Sequence, residues 1–143
     1  MKLLSNWQIY ALGSAFFAGM TVLFGKIGVM SINSNLATLI RTIVIMVMIA
    51  ALVYGRNVWQ GPQTIAAKTW IFLVLSGIAT GLSWLCYYRA IQLGPISKVA
   101  PVDKLSVALA ILFGVIFLGE KITWQVFFGS SLVILGTIII CFI

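Results

Sequence analysis

Asp103 and Lys104 stand side by side in an apolar segment, at the end of the run Pro95-Ile-Ser-Lys-Val-Ala-Pro-Val-Asp-Lys-Leu105. Lys98 and Pro101 belong to the same run, where a lipid-facing helix would carry aliphatic side chains. An ionised group in hydrocarbon is costly, so intramembrane charges usually line a cavity or a pathway. Asp103 is one of two acids in 143 residues. Its carboxylate can serve as a counter-ion, a proton carrier or a cation site, and the lysines can receive an anion. Catalysis and metal binding are not expected. The chain has no histidine, and Cys86 and Cys141 lie in separate apolar segments without ligand spacing. One Asp beside lysines also lacks a catalytic partner, so neither an enzyme nor a cofactor is expected.

Pro101 has no N–H, so the carbonyl of Ser97 loses its usual helical donor. Two readings follow if Pro95 opens the helix. Pro101 is a helix break with a free carbonyl, as where broken helices bind substrate. Alternatively it sits in the first turn, where an N–H is dispensable. Both readings put a helix start beside the charges.

Composition fixes the setting for these residues. Hydrophobic residues make up 62% of the chain and charged residues 8%, against about 25% charged in a soluble domain. An all-α, polytopic membrane bundle embedded in a lipid bilayer is predicted. The net charge of +7 comes from scattered cations that form no basic run, so nucleic acid is not an expected partner. Five apolar windows approach the roughly 20 residues of a span, at about 7–28, 35–54, 68–93, 97–118 and 123–143. Together they make one domain over 1–143, with no soluble tail expected after Ile143. The first window is longer than a signal core and has no small-residue cleavage site, so it reads as a retained helix.

Five spans put the termini on opposite sides. The N-terminal side, face A, receives Lys2, Arg56, Lys68 and Lys121. Face B receives Lys26, Arg41, Arg89, Lys98 and Lys104, which lie within helices rather than loops. The counts give almost no orientation bias, leaving insertion in both orientations open. Lys26, Arg89 and Lys98 either snorkel to the headgroups or join a cavity. Arg41, Asp103 and Lys104 would lie on the order of 10 Å inside the boundary, and a water-filled vestibule open to face B is expected for them. Adjacent helical residues point about 100° apart, so Asp103 is expected to meet Arg41 or Arg89 rather than Lys104. The excess of cations favours an anionic or carboxylate-bearing ligand. The alternative is a proton or cation site at Asp103, tuned by its neighbours. The small-residue lines Gly77-x-x-x-Gly81, with Ser76, Thr80 and Ser83, and Ala11, Ala15, Gly19 are expected at close helix packing. Trp84, Tyr87 and Tyr88 either line a pore or pack. Glu120 reads as a solvated or locally paired turn residue.

The run from Tyr87 to Ile140 resembles the second part of an EamA-like domain of the drug/metabolite transporter superfamily. The residues that carry the resemblance are Tyr88-Arg-Ala-Ile-Gln-Leu-Gly-Pro95, then Pro101, Phe117-Leu-Gly-Glu-Lys-Ile122, Gly129 and Gly136. Helices 1 and 2 fit through Ala11 to Gly28 and Arg41. The resemblance implies one half of a ten-helix inverted-repeat transporter. It therefore implies a homodimer, parallel or antiparallel, or pairing with a similar small membrane protein. The expected function is secondary transport, with export the direction expected, of small metabolites or drugs across the cell inner membrane by alternating access. Arg41, Arg89, Lys98, Asp103 and Lys104 would form the substrate and coupling site. The glutamate that related four-helix multidrug exporters carry in their first helix has no counterpart between Ala11 and Gly28. A lipid-headgroup flippase and a non-transporting membrane scaffold are the rival expectations.

Overall fold

The computed structural model describes residues 6–142. Lys2, assigned to face A above, lies outside them, as does Ile143. The described chain is all helix: α1 (Asn6–Val29), α2 (Ser34–Gly55), a short 3-10 turn (Pro62–Thr64), α3 (Ala67–Leu93), α4 (Ile96–Asp103), α5 (Leu105–Leu118) and α6 (Trp124–Phe142). Five spans are long and apolar enough to cross a membrane, α4 and α5 together making the fourth. No span buries more than 11% of its apolar window within the chain. These apolar side chains are left on the outside of each unit.

The residues divide into two compact units, 23–92 and 6–22 with 93–142, and α1 runs through both. In the first unit the ends of α1 and α3 exchange caps. A helix leaves its last carbonyls without donors. Lys26 Nζ of α1 donates to the Ile91 carbonyl in the last turn of α3, where a cation also suits the helix dipole. In return, Gln92 Nε2 donates to the carbonyls of Val29 and Ile32 at 3.0 Å each. Arg89 fixes which way that amide faces, since its guanidinium donates to Gln92 Oε1 at 2.8 Å. Asn33 then caps α2 by accepting from the Asn35 N–H at 2.9 Å. Gln92→Leu keeps the volume and removes both caps. We expect it to lower stability in detergent by about 1–3 kcal/mol, the cost of stranding buried acceptors. Unchanged thermal unfolding would show that water caps these carbonyls as well.

The loop after α2 is organised by aromatics. Tyr54 and Trp59 stack at 5.2 Å, and Trp70 Nε1 donates to the Pro62 carbonyl at 3.3 Å. Such amphipathic rings suit the membrane–water boundary.

In the second unit α6 packs against both α4 and α5. Gly119 ends α5 with a left-handed φ of 67°, and the Glu120 N–H reaches back to the Gly114 carbonyl at 3.2 Å. The Gly119 N–H points to the same carbonyl, so one of the acceptors left over at the helix end is satisfied. The Glu120 carboxylate follows its own N–H, so that a Cβ at Gly114 would stand 2.9 Å from Oε2. Glu120 is thus a turn residue folded over its own helix.

The small-residue lines are open at their glycines among the described residues. A Cβ added at Gly19, Gly77 or Gly81 would meet nothing within 4 Å, and the Thr80 hydroxyl is spent on the Ser76 carbonyl of its own helix at 2.8 Å. None of the apolar window of α3 is buried.

Candidate functional site

Within residues 23–92, Arg41 begins the site. It lies about 10 Å along α2 from Ser34, two turns inside the span. Its guanidinium sits over the Trp84 ring, 4.1 Å from the centroid, and 5.4 Å from that of Tyr88. Trp84 and Tyr88 are four residues apart on α3 and so project from one face. Ile91 and Gln92 extend that face by another turn. Tyr88 is only 4% exposed. Its hydroxyl points at Gly25 of α1, where a Cβ would stand 2.9 Å from Oη, 3.3 Å from Cζ and 3.6 Å from Ile91 Cδ1. Gly25 is therefore a notch that accepts the tyrosine, and the tyrosine is part of the seat for Arg41. A cation over aromatic faces is attracted by their negative quadrupole, by about 0.5–2 kcal/mol depending on desolvation. Among the described residues the guanidinium makes these ring contacts and stays part-exposed.

The other unit holds Lys98, Asp103 and Lys104. Lys98 is exposed on α4. Pro101 is the sixth residue of α4, beyond the first turn, and the helix runs two residues past it to Asp103. The interruption falls at Lys104, whose ψ of −9° closes a tight bond from its N–H to the Pro101 carbonyl at 3.0 Å. The hydroxyl of Thr137, a buried residue of α6, approaches the same carbonyl at 3.2 Å and that of Val133 at 2.8 Å. One hydroxyl proton is thus shared between a helical bond and the broken turn. Beside this point lies an open, mainly apolar groove of about 420 Å³ between α4 and α6, lined by Pro101, Lys104, Val133, Thr137 and Ile140 among others.

At the break, Asp103 and Lys104 meet, contrary to the expectation from ideal helix geometry. Lys104 Nζ lies 3.6 Å from Asp103 Oδ2. The cause is local: Lys104 leaves the helical path, and its long stem turns back to its neighbour. The side chains stay 57% and 37% exposed respectively, so the pair is weak and open to exchange for a ligand.

Arg41 and Arg89 thus belong to one unit and Lys98, Asp103 and Lys104 to the other. Sequence reasoning did not pick out Gly25, Gln92 or Thr137. The four-residue spacing of Trp84 and Tyr88 was the available signal for an aromatic seat. Among the described residues no cluster of metal-ligating side chains occurs.

Residues 5–142 match the EamA-like transporter family. The chain belongs to that family. A relative of nearly equal length is the "Uncharacterized transporter in cobO 3'region" of Sinorhizobium sp. It is 50% identical over 135 residues, which cover 94% of this chain and 96% of the relative. No solved structure matches the chain. Membership makes this EamA-like protein a membrane transporter by family, and its five apolar helices make it a multi-pass one.

Proposed function

We propose that the chain is a secondary transporter that exports small metabolites or drugs across the cell inner membrane, working as a dimer by alternating access. The observation that carries this reading is the interruption of the fourth span at Lys104, flanked by Asp103. Transporters bind substrates and coupling ions near the bilayer midplane, where helices are discontinuous and backbone groups are free. Arg41, Arg89, Lys98, Asp103 and Lys104 form the ligand and coupling site in this reading, with Asp103 as counter-ion or proton carrier.

The dimer is supported by the Gly77 and Gly81 face of α3: a Cβ added at either glycine would meet nothing within 4 Å among the described residues, and such faces admit close helix approach. A second copy, parallel or antiparallel, or a similar small membrane protein would complete a ten-helix pathway.

The test is transport by the purified protein in proteoliposomes, screened over amino acids, carboxylates and amphipathic cations. Asp103→Asn and Lys104→Ala are each expected to slow transport at least about tenfold, the effect of about 1.4 kcal/mol. Wild-type rates in both variants would remove these residues from the site. A protein that moves none of the solutes would be a scaffold.

The groove beside Lys104 favours a lipid-headgroup flippase as the second reading. Its apolar wall suits an acyl chain and its lysine a phosphate. Inhibition of transport by glycerophosphate but not by free carboxylates would establish that reading in place of the first.

A further inference from the structure

Residues 23–92 contain five of the nine cations, Lys26, Arg41, Arg56, Lys68 and Arg89, and neither of the acids. Two of the five are already engaged at the α1–α3 junction, Lys26 with the Ile91 carbonyl and Arg89 with Gln92. Arg56 and Lys68 flank the loop between α2 and α3. Arg41 differs from all of them. It lies two turns from the nearer end of its span and rests on Trp84 and Tyr88. None of the hydrogen bonds within this unit uses its donors. The guanidinium is only part-buried, and its planar fork presents paired N–H donors to an oxygen ligand.

From this we infer that Arg41, seated on Trp84 and Tyr88, is the binding point for a carboxylate, and that the transported solute is a small amphipathic carboxylate. The class follows from charge and shape. A single guanidinium balances a monoanion, and its fork matches the two oxygens of a carboxylate. A phosphate with about two negative charges calls for a second cation beside the fork, and in this unit the neighbouring Lys26 and Arg89 are turned to the Ile91 carbonyl and to Gln92. The aromatic faces beside the fork suit an apolar or ring-bearing body. Gly25 and Tyr88 are positioning residues: the notch seats the ring, and the ring seats the guanidinium.

This inference rests on the transport reading but is tested by binding. Trp7, Trp59, Trp70 and Trp124 are replaced by Phe in the full-length protein in detergent, leaving Trp84 as the reporter beneath Arg41. Benzoate is expected to shift Trp84 emission saturably. Benzamide, benzylamine and inorganic phosphate are not. Arg41→Gln should weaken the benzoate response at least tenfold, and Arg41→Lys, which keeps the charge but not the fork, several-fold. If Arg41→Gln does not yield monodisperse protein, Arg41→Lys decides the question. The inference is overturned if neither benzoate nor acetate gives a saturable response, if benzamide or phosphate acts as well as benzoate, or if the Arg41 variants respond like the parent. Carboxylate binding without transport in proteoliposomes would sink the transport reading alone. Transport of other solutes without carboxylate binding would sink this inference alone.

Discussion

Arg41→Ala is expected to lower transport about 100-fold while leaving the protein as stable as before or more so. The two effects separate because the residue is costly to the fold. A charged side chain at the centre of a span costs about 2.5–3.5 kcal/mol on insertion scales. The two aromatic faces return about 1–2 kcal/mol of that. Alanine removes both terms, so the balance leaves thermal unfolding unchanged or raised. Function goes the other way. Truncating one partner of a desolvated ion pair costs about 2–5 kcal/mol, and each 1.4 kcal/mol is about tenfold. Initial transport rates and melting temperature measured on one preparation check both halves. A joint fall in the two would make Arg41 a packing residue and remove it from the binding site.

Gly25→Ala is expected to act on the same seat from behind. The new methyl would stand 2.9 Å from the Tyr88 hydroxyl and 3.3 Å from Cζ. A flexible, exposed side chain would swing aside at little cost, but Tyr88 is buried and Ile91 closes the same notch. Overpacking of this kind costs about 1–3 kcal/mol. The displaced ring also shifts the support under Arg41, so transport falls together with the melting temperature. Tyr88→Phe in the Gly25→Ala background removes the shortest contact and should restore part of both. This makes a double-mutant cycle with positive coupling. A Gly25→Ala protein with parental stability and transport would show that the notch has slack and that Tyr88 is not held by it.

The spans were legible in the sequence because length and apolarity alone define them. Five windows anticipate five helices, each run long enough to cross hydrocarbon. The irregularity of the fourth span was legible in kind, through Pro101, but its position was not. Loss of the Ser97 acceptor bond does not stop the helix, which yields only at Lys104, where the backbone tightens onto the Pro101 carbonyl. The same deviation undid the expectation that Asp103 and Lys104 diverge. Contacts across helices were out of reach of the sequence. Trp84 and Tyr88 read equally as pore or packing residues, since nothing in one helix tells which side chain of another will rest on it. Gly25 and Gln92 were missed for the same reason: each matters through partners sixty or more residues away along the chain.

The exchange of caps between α1 and α3 has a consequence for how the chain enters the membrane. Gln92 follows Val29 by 63 residues and Ile32 by 60. At about 5–20 residues per second of synthesis, it is made about 3–13 s after the carbonyls that it caps. During that interval the α1–α2 hairpin has only water or headgroups to satisfy its turn. Until the end of α3 arrives, those two carbonyls are held by solvent, and afterwards by a side chain of the same protein, so the order of synthesis is also the order in which the turn acquires its caps.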